Sequence, residues 1–263
     1  MLLDLEATGW ALSIAALFFV LIEVGFKIAS RIEKHSTDEA PFGVIQGAAF
    51  ALVGLLLGFS FSLAVQRFDA RRAEVVSEAN AIGTAALRVR LLDPSAQPQM
   101  FDKLREYVDV RVAFSLAGTK DEAGSTSLIA RSDALQAQIW KLAMISAQKD
   151  PHSTEVPLFV AALNTMIDEG AAQQAVLHAS IPPAVLGVLG AVVMLSAPLL
   201  GVGFGRAQQR NIAAAAIFSV MLAVVVSIIL DLDRPQRGLV SVDLTPLRQV
   251  QQSLHSAASG PAP

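Results

Sequence analysis

Residues able to act in catalysis or to hold a metal are sparse in this sequence. The chain contains no cysteine, and its four histidines are not spaced as metal ligands are. It lacks a Gly-x-Ser-x-Gly elbow, a Walker loop and a His-Glu-x-x-His motif. A glycine run at Gly201, Gly203 and Gly205 ends an apolar segment and does not follow a strand, so we expect no dinucleotide site there. The sequence therefore predicts a protein that is not an enzyme and that carries no metal and no cofactor.

Three acidic residues lie in or beside apolar segments. Glu23 falls inside the first of these segments, and a carboxylate within a membrane is by default a functional candidate. Lys27 follows four residues later, the favourable order for a helical ion pair, so an interfacial salt pair competes with an ion-pathway role. Asp231 and Asp233 stand beside Arg234 at the end of the last apolar segment. They are either a charged stop that ends the helix or an ion-attracting mouth.

The composition indicates a membrane protein with a soluble part. Of the 263 residues, 53% are hydrophobic and only 16% are charged, which is too apolar for an ordinary soluble domain. The formal net charge of −3 gives no basic surface for a nucleic acid. The lipid bilayer is therefore the expected partner, and nucleic acid is not.

Four apolar segments are long enough to cross a bilayer, with a long polar stretch between the second and the third. The predicted organisation is an N-terminal tail (1–9), membrane helices one and two (10–66), a helical soluble domain (67–180), membrane helices three and four (181–231), a C-terminal segment with a short amphipathic helix (232–255) and a disordered tail (256–263). Strand-like alternation is absent from the soluble domain, whose apolar residues recur at helical spacing. The fold class predicted is all-α.

The second membrane segment leads directly into the soluble domain. Residues 42–65 are uncharged, and the helical pattern continues without a break into polar sequence. Small residues recur within it at spacings of four, at Gly43 and Gly47 and again at Gly54 and Gly58. Such spacing predicts close packing against another helix, and a pore-lining role for the segment stays open.

The side of the membrane on which the soluble domain lies is not decided by charge. Four spans place both termini and the soluble domain on one side, and equal numbers of basic residues flank the spans on the two sides. The acidic N-terminus, which has no basic residue, weakly favours an exported N-terminus.

Two short motifs resemble a known family. The first is the run Leu57-Gly58-Phe59 followed by Arg67-Phe68 and Ala70-Arg71; the second is Asp231-Leu232-Asp233-Arg234-Pro235 followed by Gly238 and Leu244-Thr245-Pro246-Leu247. These two motifs, together with the order of spans, helical domain and tail, resemble the bacterial bestrophin-like family of unknown function. That family is distantly similar to the bestrophin ion channels.

The resemblance implies a homopentamer in the bacterial inner membrane, with a cytoplasmic soluble domain and the second span lining one axial pore for permeant ions. Carried over without gaps, the hydrophobic neck falls on Ala51, Leu55 and Phe59, and Ala51 is too small to close it. Ser62 and Gln66 would face a wetter vestibule. Asp231 and Asp233 would make the pore favour cations. The calcium-binding segment that follows the last span in vertebrate members, called the calcium clasp, is not expected here.

A non-conducting membrane scaffold or sensor is the alternative function. Close packing of glycine and alanine residues fits it equally well, and no residue spacing alone demands a pore.

Overall fold

The computed structural model describes residues 5–31, 39–118, 122–233 and 241–259. Over these residues the secondary structure is helical, and they contain no strand. The helices are α1 (Leu5–Arg31), α2 (Glu39–Val89), α3 (Gln97–Ala117), α4 (Glu122–Lys149), α5 (Val156–His178), α6 (Pro183–Arg206), α7 (Ile212–Asp233) and α8 (Thr245–Ser259). Four candidate membrane spans are found among the described residues, and they lie in α1, in α2, within residues 156–206 and in α7. The chain is an all-α membrane protein.

The described helices fall into two compact units. The membrane unit consists of α1, residues 39–66 of α2, α6 and α7. The polar unit consists of residues 67–89 of α2 together with α3, α4, α5 and α8. Helix α2 has 51 residues, which corresponds to about 76 Å at 1.5 Å per residue.

Glycines bring α1 and α6 together in the membrane unit. A Cβ placed on Gly25 would lie 2.1 Å from the carbonyl oxygen of Pro198, and one on Gly201 would lie 1.9 Å from the carbonyl oxygen of Ile22. Gly205 continues the row, since its Cβ would meet Ala29 at 2.6 Å. Only hydrogen fits at these positions, so the two backbones are in direct contact.

Helix α2 contacts the rest of the membrane unit through side chains. The rings of Phe50 and Phe218 meet edge to face with their centroids 5.5 Å apart. Farther along, one face of α2 is buried, and it consists of Val53, Leu57, Ser60 and Ala64.

Large apolar side chains form the core of the polar unit. Members with no measurable exposure come from all five of its helical segments, and the largest aliphatic and phenylalanine side chains among them are Ile82, Met100, Leu104, Ile139, Phe159, Leu163, Met166 and Leu247. In α3 and α5, which each contribute more than one of these residues, the positions recur at intervals of three to four residues, the spacing that places them on one face.

The predicted C-terminal helix is present as α8, and a carboxylate just before it binds its first residue. The Asp243 carboxylate accepts hydrogen bonds from the backbone N–H (2.9 Å) and the hydroxyl (2.6 Å) of Thr245, so Asp243 is the residue that caps α8. Disorder from residue 256 onwards was expected, and this is wrong for residues 256–259 because α8 continues to Ser259. Residues 260–263 lie outside the described part of the chain.

Candidate functional site

The three predicted neck residues lie on one open face of α2. Leu55 and Phe59 are 55% and 61% exposed, and Ala51 is exposed as well. Their i, i+4, i+8 spacing rotates each by only about 40° from the one before it, so they form a shallow spiral along one side of the helix.

This open face points away from the contacts that the chain makes with itself. Val53, Leu57 and Ala64, which are buried, lie on the opposite side of α2. An apolar strip that the subunit does not cover is therefore available to lipid, to another subunit or to a pore.

Polar side chains continue the same face one to two turns beyond Phe59. Ser62 and Gln66 are both exposed, and the amide of Gln66 donates a hydrogen bond of 3.3 Å to the hydroxyl of Ser62. Because an exposed amide is costly in hydrocarbon, this end of the face is better suited to water or to an interface than to lipid.

The α2 glycines do not pack against another helix of the same chain. A Cβ on Gly43, Gly47, Gly54 or Gly58 would meet nothing within 4 Å. The predicted close packing is therefore wrong within the subunit, because α2 turns its opposite side to the chain. Gly25, Gly201 and Gly205 make the close contacts instead.

Glu23 forms an ion pair with a residue other than the one predicted. Its carboxylate accepts a hydrogen bond of 2.8 Å from the guanidinium of Arg210, which also lies over the Phe26 ring at 5.9 Å. Lys27 was the expected partner, and the prediction missed Arg210 because the two residues are 187 positions apart. The pair supports the interfacial alternative for Glu23.

The two aspartates at the end of α7 have different surroundings. Asp233 is buried, and its carboxylate accepts a hydrogen bond of 2.8 Å from the backbone N–H of Ile181 just before α6. Asp231 is half-buried. The contact of Asp233 favours a structural role for that residue, and the mouth role stays a prediction. Arg234 lies outside the described residues.

A buried polar network in the polar unit was not predicted. Arg111 and Glu78 are fully buried and form an ion pair between α3 and α2. Arg111 also donates to the carbonyl of Gly170 (3.0 Å) and to the side-chain oxygen of Gln173 (2.6 Å). The amide of Gln173 in turn donates to the hydroxyl of Ser115 at 2.7 Å. The sequence signal was an arginine at a position whose helical neighbours are apolar core residues.

Tyr107 lies beside this network. Its hydroxyl accepts a hydrogen bond of 3.2 Å from the amide of Gln136, and burial raises the pKa of the phenol. A Cβ on Gly170 would lie 2.8 Å from the same hydroxyl, so a glycine is needed there. The network joins helices of the polar unit.

No group of three or more histidine or acidic side chains suited to a metal ion is found among the described residues.

Comparison with known proteins gives one family and a set of similar structures. A sequence model of the bestrophin-like domain matches residues 12–247. No curated protein matches the sequence.

Crystal structures of bacterial bestrophin homologues share the fold. One from Klebsiella pneumoniae, carrying a mutation, is 18% identical, with a TM-score of 0.67 over 95% of this chain and 98% of that chain. Another from Klebsiella pneumoniae, with a different mutation, is 16% identical, with a TM-score of 0.69 over 97% and 100% of the two chains. A structure described only as that of a membrane protein is 15% identical and has a TM-score of 0.71 over 98% and 100%.

Proposed function

Because this chain belongs to the bestrophin-like family, we propose that it assembles as a homo-oligomer, a pentamer, around an ion-conducting pore lined by α2. The observation that carries the proposal is the open face of α2. It presents Ala51, Leu55 and Phe59 in one line and leaves them uncovered by their own subunit.

A ring of these side chains would act as a hydrophobic neck. An apolar constriction opposes the passage of ions because water leaves it before the walls touch. Leu55 and Phe59 would supply most of the closure, since the methyl group of Ala51 reaches little way into a pore.

The glycine stripe of α2 supports self-association. Gly47, Gly54 and Gly58 lie beside the neck line on the helix surface and have open space in front of them. In lipid, small residues permit close backbone approach between helices, so neighbouring copies of α2 would pack along this stripe.

Polar residues on the side of the membrane that carries the soluble domain would favour ion entry. Ser62 and Gln66 would line a wetter vestibule, and Asp231 would attract cations at a mouth. Asp233 would contribute less, because its carboxylate already accepts the N–H of Ile181. We place the protein in the bacterial inner membrane with the polar unit in the cytosol.

Conductance of the purified protein in planar bilayers tests the proposal. Phe59→Ala is expected to widen the neck and to raise the conductance or the open fraction several-fold relative to wild type. Phe61→Ala is the matched control, because Phe61 is also exposed (42%) but lies on another side of α2. Phe61→Ala is expected not to raise the conductance or the open fraction, because Phe61 faces the glycine stripe and not the neck.

The subunit count completes the test. Native mass or particle images are expected to show five copies. A monomer or dimer would contradict the pore, and so would an absence of conductance in both wild type and Phe59→Ala. A stable oligomer that conducts in neither form would favour the membrane scaffold or sensor.

A further inference from the structure

A groove in the membrane unit lies between α2 and α6, at the C-terminal end of α6. Its volume is about 230 Å³. Phe42, Gly43 and Gln46 of α2 form one wall, and Leu200, Phe204 and Arg206 form much of the other. The groove is therefore apolar along its length, with one cation at the end and one amide farther in.

Arg206 is the cation. Its guanidinium lies over the Phe42 ring, 4.5 Å from the ring centroid, and the side chain is exposed. Among the described residues it forms no ion pair, in contrast to Arg210, which is paired with Glu23. Stacking on a ring leaves the N–H edge of a guanidinium open to an anion.

Gln46 is the amide. It lies one helical turn beyond Phe42, which places it about 6 Å deeper along α2. Its side chain packs on Gly203, where a Cβ would be 2.8 Å from the amide oxygen. Within the described part of the chain the amide makes no hydrogen bond, although an unpaired amide at this depth is costly.

We propose that this groove binds an anionic phospholipid. The phosphate binds the guanidinium of Arg206, and an ester carbonyl of the glycerol backbone accepts a hydrogen bond from the Gln46 amide. The first part of an acyl chain lies against Leu200 and Phe204. The order of cation, amide and apolar wall matches the order of phosphate, ester and hydrocarbon along a lipid. This site does not depend on the pore.

Retention of lipid by the purified full-length protein tests the site. Native mass spectrometry in mild detergent would compare phosphatidylglycerol with phosphatidylcholine of the same acyl chains. Wild type is expected to retain phosphatidylglycerol preferentially. Arg206→Gln is expected to reduce this preference roughly fivefold, the effect of one basic group near an anionic headgroup.

Two matched variants separate a specific site from general effects. Arg31→Gln removes the same charge from an exposed residue at the end of α1 and is expected to retain the preference. Gly43→Leu places a side chain in the groove, whereas Gly190→Leu also has open space but lies outside the groove. Only Gly43→Leu is expected to reduce retention of both lipids.

Three results would overturn the proposal. Equal loss in Arg206→Gln and Arg31→Gln would indicate general surface charge. Equal behaviour of Gly43→Leu and Gly190→Leu would exclude the groove. Displacement of the lipid by millimolar inorganic phosphate would show a site for a free anion.

Discussion

The helices inside the membrane unit and those inside the polar unit pack through different kinds of contact. In the membrane unit, Gly25 and Gly201 let α1 and α6 meet backbone to backbone. In the polar unit, Leu104, Phe159 and Leu163 are among the large side chains that fill the core. Lipid offers no gain for burying an apolar side chain, so contact there depends on shape. Water makes the burial of large apolar groups favourable.

Buried serines of the membrane unit and a buried arginine of the polar unit show a second difference. In the membrane unit, the hydroxyls of Ser196 and Ser219 donate to carbonyls of their own helices, at 2.7 Å and 2.8 Å. In the polar unit, Arg111 joins three helices through Glu78, Gly170 and Gln173. The membrane unit therefore satisfies these hydroxyls locally, whereas the polar unit uses buried polar groups to connect its helices.

The largest expected effect comes from the connection made by Arg111. Arg111→Met leaves the Glu78 carboxylate buried without its cation and is expected to lower the free energy of unfolding by about 3–5 kcal/mol. Denaturant unfolding of the purified protein, followed by circular dichroism, measures the change.

The control for this prediction removes a surface charge. Arg90→Met, at an exposed position, should change stability by less than about 0.5 kcal/mol. The double variant of Arg111→Met with Glu78→Gln should recover part of the loss, because neither residue then leaves a buried charge. Wild-type stability for Arg111→Met would mean that the network does not hold the polar unit together.

A smaller effect is expected from the glycines of the membrane unit. Gly201→Ala forces a methyl group into the backbone of α1 and should destabilise the protein by about 1–3 kcal/mol or more. Gly58→Ala meets open space in the subunit and should leave its stability unchanged or slightly raised, since alanine favours a helix. Thermal melting in detergent compares the two.

The same pair of variants examines assembly. If α2 packs against its neighbours along the glycine stripe, Gly58→Ala should weaken the oligomer without lowering subunit stability. Equal melting temperatures for Gly201→Ala and Gly58→Ala would contradict the contrast between the two glycine sets.

The smallest effect is expected at the turn between α2 and α3. The Ser95 hydroxyl, the Ser95 backbone N–H and Lys149 hold the pKa of Asp93 at about 2, below its ordinary value of 3.8. The charged carboxylate therefore stabilises the fold above about pH 4, and this contribution is lost as the pH falls towards 2.

Asp93→Asn should accordingly melt slightly below wild type at pH 7, and the difference should shrink between pH 4 and pH 2. Melting curves across this range measure it. Asp133→Asn makes the same charge change at an exposed position of α4 and serves as the control. A difference that does not vary with pH would contradict the role of the Asp93 carboxylate.

Composition and periodicity were sufficient for the class of fold. Long uncharged runs and apolar residues at helical spacing depend on local sequence alone, so the all-α prediction with four membrane helices is confirmed. The resemblance to the bestrophin-like family rested on short motifs and is confirmed as well.

Partners distant in the chain were not predictable. Glu23 pairs with Arg210 and not with Lys27. The Asp233 carboxylate accepts a hydrogen bond from the backbone N–H of Ile181. Arg111 donates to the carbonyl of Gly170, which is 59 positions away in the chain. A sequence pattern predicts partners only among residues that are close in the chain. The actual partner of a charged side chain is the group that tertiary packing places within hydrogen-bond distance.

The choice among glycines shows the same division most clearly. Spacing of four residues predicted close approach at Gly43, Gly47, Gly54 and Gly58. Packing assigned the approach to Gly25, Gly201 and Gly205, because a helix buries only one side and its sequence does not state which partner that side will meet. The open side of α2, which this packing leaves uncovered, is where the proposed pore lies.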